Sequence, residues 1–132
     1  MVVDASILLL GITKPAGQAA RLLALASSLE SPELFVLEVA NSLRSSVIRR
    51  EVSLDQSIRG LARLQRLPIV RHPLMPLLDR VWELRENLTA YDAAYVALAE
   101  RLGVSLLTAD TGIARAPKIR CKVNLVKLEA LS

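Results

Sequence analysis

Four carboxylates in this chain stand in apolar surroundings. Asp4 lies within Val2-Val3-Asp4-Ala5-Ser6-Ile7, and Glu38 interrupts Leu34-Phe35-Val36-Leu37-Glu38-Val39-Ala40. Asp92 is the only charge between Asn87 and Glu100, and Asp110 follows Leu106-Leu107-Thr108-Ala109. The acids Glu51, Asp55, Asp79, Glu83, Glu86 and Glu129 sit instead among polar neighbours and read as solvated. An ionised carboxylate buried alone is unstable, so each of the four needs a hydrogen-bond partner, a counter-charge or a cation. Singly, each has an ordinary structural use. Asp4 can cap a helix starting near Ser6, and Glu38 can pair with an arginine. Asp92 follows Thr89 by three residues, as in a capping box, and Asp110 before Thr111-Gly112 suits a turn or N-cap. Together they suit one site. In a parallel sheet, strand C-termini and the helix N-termini that follow them meet on one edge. Asp4 and Asp110 belong at that edge, and Asp92 in the first turn of a helix leading into the next strand. Gathered there, like charges repel by about 1 to 4 kcal/mol per close pair at surface-like dielectrics. They raise one another's pKa unless a divalent cation neutralises them. An all-oxygen set suits Mg2+ or Mn2+ rather than zinc.

Composition narrows the chemistry further. The 132 residues hold one histidine, His72, and one cysteine, Cys121. That excludes an internal disulfide and multi-thiolate or multi-histidine zinc sites. A Ser–His–Asp triad would have to use His72, which lies between Arg71 and Pro73 and reads as a solvated loop residue. The five glycines form neither a dinucleotide-binding nor a Walker A loop. Seventeen Lys and Arg against thirteen Asp and Glu leave a net charge of +4, a mild bias toward an anionic partner. Aromatic residues are only 3%, so contact with a nucleic acid is expected to rest on backbone charge rather than on a stacking platform. No apolar run approaches the length of a membrane span, and no basic segment precedes an apolar one at the N-terminus. A cytoplasmic protein is the expectation.

The elements that must position the acids follow from pattern. Residues 2–9 read as a buried strand running into a short helix, and residues 11–17 as a loop. Helices are expected over about 18–28, 33–50, 53–67, 74–87 and 89–102, the last ended by Gly103. Short strands are expected at 69–70, 104–108 and 123–126. The alternation of strands and helices predicts a single α/β domain over residues 1–132, with a short, mainly parallel sheet between helices.

The segments around the four acids, in order, resemble the PIN-domain family and within it the VapC-type toxins. The matching pieces are Val2-Val3-Asp4-Ala5-Ser6, then Ser31-Pro32-Glu33-Leu34 leading to Glu38-Val39-Ala40-Asn41. Leu88-Thr89-Ala90-Tyr91-Asp92-Ala93-Ala94-Tyr95-Val96-Ala97-Leu98-Ala99 and Leu107-Thr108-Ala109-Asp110 follow. The resemblance implies a three-layer PIN-like fold. It also implies an acidic metal site of Asp4, Glu38, Asp92 and Asp110, with Ser6, Asn41 and Thr108 orienting carboxylates or a water from behind. Thr111 and Gly112 follow Asp110 where some members carry a further acid, which argues against a second well-occupied metal site.

What the resemblance implies about activity is Mg2+-dependent hydrolysis of RNA by the toxin of a type II toxin–antitoxin pair. Asp92 or Asp110 would orient the attacking water, and in-line attack would expel the 3′ oxygen and leave a 5′ phosphate. Arg44, Arg49, Arg50, Arg115, Lys118, Arg120 and Lys122 are candidates for guiding the RNA backbone. The resemblance further implies an antitoxin protein as partner. Leu34, Val36, Val47, Ile48 and Leu54 are candidates for an apolar surface that would seat the antitoxin or a second copy in a homodimer. Two rival readings remain. One is a phosphoryl-transfer α/β domain in which Lys118 or Lys122 serves Asp4. The other is a non-catalytic module whose acidic pocket grips a basic peptide.

Overall fold

The computed structural model describes residues 1–127; Glu129 lies outside them. The β-branched start of the chain forms only a two-residue strand, β1 (Val2–Val3), because Asp4 ends it as a helix cap. The Asp4 carboxylate accepts a hydrogen bond from the Ile7 backbone, and α1 (Ala5–Thr13) begins at once. The strand expected to run into a short helix does so after two residues, and most of residues 2–9 is helix. Gly11, expected in a loop, lies inside α1, where a Cβ would sit 2.4 Å from Cδ1 of Leu23. Glycine there lets α1 and α2 (Gln18–Leu25) pack closely.

The chain continues through β2 (Leu29–Pro32), α3 (Phe35–Ile48), α4 (Leu54–Arg66) and β3 (Ile69–His72). β2 was not expected from the pattern, since Glu30, Ser31 and Pro32 read as a break. Its register against β3 puts Pro32 beside His72 at the end of both strands, where the Glu33 backbone N–H donates to the His72 carbonyl. His72 is consequently a half-buried strand residue 3.3 Å from Glu30, not a solvated loop residue. Residues 74–87, expected as one helix, form a short 3-10 turn (Met75–Leu77), then α5 (Leu78–Glu83), then turns. Leu77 and Leu84 enter the core, while Leu78 and Trp82 are exposed. α6 (Ala90–Leu102) starts at the Thr89 cap and ends at Gly103 in the left-handed conformation (φ 66°). β4 (Leu106–Thr108), α7 (Thr111–Arg115) and β5 (Val123–Leu125) complete the described chain.

The sheet order is β3-β2-β1-β4-β5, and every pairing is parallel. Right-handed crossovers then place α1–α4 on one face and α5–α7 on the other, giving three layers. The direction of winding reverses between β1 and β4. At such a point the two following segments leave to opposite faces and open a crevice at the strand C-termini. Asp4 follows β1 and Asp110 follows β4, so both stand at its mouth. α6 closes the third side. Its residues 93–99 are all buried, as suits a helix apolar on every face.

The far end of α6 is fixed by charge. Arg80 makes two hydrogen bonds to Glu100, 2.7 and 3.1 Å, and a third to the Lys118 carbonyl. Burial raises the Glu100 pKa, but the bonds from Arg80 and from the Arg120 backbone outweigh it, and the net shift is downward. Removing Arg80 leaves a largely buried carboxylate without its counter-charge. Arg80→Ala is expected to cost about 2 kcal/mol in urea unfolding at neutral pH. Because the folded pKa of Glu100 is depressed, the deficit is full above its unfolded pKa and shrinks as the pH falls below it. A loss under about 0.5 kcal/mol at neutral pH, the range of ordinary surface changes, would show that this pair does not anchor α6.

Candidate active site

Two hydroxyl groups build the crevice. Ser6 Oγ donates to Asp4 Oδ1 at 2.6 Å, and Thr108 Oγ1 donates to Asp4 Oδ2. Each hydroxyl oxygen also accepts a backbone N–H from the turn after β4: Ser6 from Ala109 at 3.1 Å, Thr108 from Asp110 at 2.9 Å. The Asp4 backbone N–H donates to the Leu107 carbonyl. The segments that carry Asp4 and Asp110 are thus held to each other by polar bonds within a buried setting. Ser6 and Thr108 thus each hold one oxygen of the Asp4 carboxylate.

Asp110 caps α7 by accepting from the Gly112 backbone at 2.7 Å, and Thr89 caps α6 by accepting from the Asp92 backbone at 3.2 Å. The capping uses weighed for Asp4 and Asp110 are therefore present, whereas at α6 the cap is Thr89 and Asp92 supplies the backbone N–H it accepts. Capping is what aims these residues at the crevice. Glu38 has a different partner from the arginine considered for it: the Tyr95 hydroxyl donates to it at 2.5 Å. This bond joins α3 to α6. Tyr95 was not singled out from the sequence; its position three residues after Asp92, on the same face of α6, was the available signal.

The electrostatics show that the four acids share one field. Burial raises the Asp4 pKa, hydrogen bonds from Ser6, Thr108 and Ile7 pull it down, and the Asp110 charge pushes it up. Glu38 is raised by burial and by the Asp4 charge, against the bond from Tyr95. Asp92 is pushed up to about 6 by burial and by the charges of Asp110, Glu38 and Asp4. Tyr95 is raised by burial and by its bond to the Glu38 carboxylate. None of the four acids forms an ion pair among the described residues. Nor do any three His, Cys, Asp or Glu among the described residues close into a ready-made metal cage. The carboxylates are within Coulombic reach of one another but not clenched on a point. Magnesium needs no such cage, since it keeps several waters and takes one or two carboxylates.

Other expected participants lie elsewhere. Asn41 is exposed on α3, three residues beyond Glu38, and its side chain bonds to none of the four acids. Lys122 lies beside Glu100, Gly103 and Ser105, at the N-terminal end of β4 and so on the opposite sheet edge. The Lys118 carbonyl is held there by Arg80. Neither lysine can serve Asp4, which removes the basis of the phosphoryl-transfer alternative. The same placement withdraws Lys118, Arg120 and Lys122 from any basic track beside the acids. Arg49 is paired with Glu51, and Arg44 lines an apolar groove between α3 and α4.

The crowding of charge has a measurable consequence in metal-free protein. Asp92 titrates near 3.8 when unfolded and near 6 when folded. The folded state therefore binds more protons between those values, and stability falls as the pH rises through that window. Asp92→Asn removes the charge, so it is expected to stabilise the protein in EDTA at pH 7.5. Screening at this half-exposed side chain leaves about 1 kcal/mol of gain. The gain should fade below about pH 4. Urea unfolding at the two pH values reads it; a variant no more stable than the parent at pH 7.5 would contradict the shared field.

Comparison with known proteins gives the family. The PIN domain pattern matches residues 1–119. VapC ribonuclease Mb0985 of Mycobacterium bovis is 40% identical over 126 residues, covering 96% of this chain and 98% of that one. Among solved structures, PAE2754 from Pyrobaculum aerophilum superposes with a TM-score of 0.70 at 24% identity, over 92% of this chain and 81% of that one. VapBC2 from Rickettsia felis, bound to a DNA fragment from its promoter, superposes at 0.69 and 14% identity, over 94% and 96%. With its three-layer parallel fold and its acids at the β1–β4 crevice, the chain belongs to the PIN-domain family, in its VapC-type branch.

Proposed function

We propose that this chain is a divalent-metal-dependent endoribonuclease, the toxin of a type II toxin–antitoxin pair, with its active site at the β1–β4 crevice. The observation that carries the reading is the mutual Coulombic coupling of Asp4, Glu38, Asp92 and Asp110, none of which has an ion-pair partner among the described residues. Identity of 40% to a VapC ribonuclease along nearly the whole chain supports RNA as substrate. The donor set fits a hard cation: all oxygen, anionic, and raised in pKa in a way a cation relieves. Asp4, Glu38, Asp92 and Asp110 would hold it, with Mg2+ or Mn2+ the suited ions. Bound there, such a cation supplies Lewis acidity toward a phosphoryl oxygen and acidifies water.

The chain's own residues do the rest. Ser6 and Thr108 hold both oxygens of Asp4 in a fixed orientation. Tyr95 does the same for one oxygen of Glu38 and leaves the other free. Asp92, partly exposed in the first turn of α6, is the group best placed to accept a proton from an attacking water. An unpaired loop of RNA reaches such a recess more readily than a duplex does.

A free ribonuclease needs an inhibitor, and the surface supports one. α3 and α4 flank an apolar groove of about 380 Å³ lined by Leu43, Val47, Ile48 and Leu54. Val36, Ile48 and Leu54 are exposed as expected, joined by Leu37 and Ile58, whereas Leu34 and Val47 are half-buried. An antitoxin segment would lay apolar side chains there and direct a basic one at the carboxylates. Leu74, Met75, Leu78 and Trp82 form another exposed apolar set, which supports a two-fold homodimer. No helix among the described residues is long and apolar enough to cross a membrane, and a cytoplasmic setting completes the proposal.

The test is cleavage of RNA by purified chain with Mg2+ or Mn2+, and its loss in EDTA. Asp4→Asn and Asp92→Asn should each lose more activity than the roughly 10–100-fold typical of changes behind a metal ligand, while circular dichroism stays native. Retention of cleavage by both variants would place the chemistry elsewhere.

A further inference from the structure

Beside the carboxylates lies a second, shallower feature: a groove of about 430 Å³ lined by Leu37, Glu38, Asn41, Ser42 and Tyr91. It shares Glu38 with the acidic crevice and so opens directly onto it. Two of its walls have no structural reason to be apolar. Leu37 is 76% exposed and Tyr91 62%, and neither belongs to the core. Each immediately precedes a site carboxylate, Leu37 before Glu38 on α3 and Tyr91 before Asp92 on α6. The two helices thus present an aliphatic side chain and an aromatic ring on either side of the same opening, one residue out from the charges.

The chain has one Phe, one Trp and two Tyr. Phe35 and Tyr95 are buried, and the exposed Trp82 ring, on α5, has the Arg85 guanidinium 4.9 Å from its centroid and does not line this groove. Tyr91 remains as an exposed ring at the acidic site. So few rings cannot pave a platform for a strand, but one ring can seat one base. We propose that this groove is a subsite for an unpaired nucleobase of the RNA, the one next to the phosphodiester lying against the carboxylates. The base stacks on Tyr91 with Leu37 against its other side, and Asn41 and Ser42 offer donors and acceptors to its edge. Asn41, whose side chain bonds to none of the four acids, thereby has a use at the base edge. The proposal rests on the ribonuclease reading for its substrate, and its test is separable from that reading.

The four nucleosides serve as probes, since they carry no phosphate for the carboxylates to repel. Saturation-transfer NMR on the full chain is expected to show base protons contacting the wild type and Tyr91→Phe. In Tyr91→Ala, whose thermal unfolding should match the parent, affinity should fall about tenfold, the scale of one lost stacking contact. On RNA that the wild type cleaves, Tyr91→Ala should raise KM about tenfold with kcat within about twofold, and Tyr91→Phe should restore KM. Equal nucleoside binding by wild type and Tyr91→Ala, or no binding by the wild type, overturns the subsite. So does a Tyr91→Ala that weakens only an antitoxin partner. If the wild type cleaves no RNA with either metal, the ribonuclease reading fails, and nucleoside binding still decides what the groove holds.

Discussion

The Asp4 carboxylate, with a hydroxyl on each oxygen, is the joint on which the crevice depends. Ser6 belongs to the first turn of α1, Thr108 is the last residue of β4, and each hydroxyl oxygen accepts a hydrogen bond from the Ala109–Asp110 backbone. A hydroxyl can donate and accept through a single atom, which an ammonium cannot do. That property lets one buried carboxylate stitch together two segments leaving the sheet toward opposite faces. Without it, the switch point between β1 and β4 would be an opening with no defined width. With it, the acids at the ends of both strands are set at a fixed separation.

The same arrangement works against the stability of the protein. Burial and mutual repulsion raise Asp4, Glu38 and Asp92 together, and none of them has an ion-pair partner among the described residues. Hydrogen bonds offset part of this strain: Tyr95 for Glu38, Thr89 for Asp92, Ser6 and Thr108 for Asp4. The remainder is what a cation would relieve. A fold selected only for stability would place an arginine here. The molecule does use one at the other end of α6, where Arg80 meets Glu100. The two ends of one helix thus differ: Glu100 has an arginine partner, and the acids at the crevice have none among the described residues.

Much of this was legible in the sequence, for identifiable reasons. An acid inside an apolar run is conspicuous, so Asp4, Glu38, Asp92 and Asp110 stood out. α6 was readable from Thr89 at one end and Gly103 at the other. The boundary between β1 and α1 was not, because Ile7-Leu8-Leu9-Leu10 is apolar in every position and carries no period to separate strand from helix. β2 was hidden by Glu30, Ser31 and Pro32, which fit a strand only because β3 and β1 flank it. Tyr95 was hidden for the opposite reason, as one more large residue on a helix buried all round. The misplacement of Lys118, Arg120 and Lys122 came from composition. Charge can be counted in a sequence, but the sheet edge it lies on cannot.

The central claim is that the crevice is organised around one cation among Asp4, Glu38, Asp92 and Asp110. Anomalous diffraction from crystals soaked in Mn2+ tests it most directly. The account predicts a peak at the C-terminal edge of β1 and β4, with at least two of these carboxylates at about 2 Å and water completing the shell. A fully occupied ion elsewhere, or none at millimolar Mn2+ with the carboxylates ordered and apart, would contradict it.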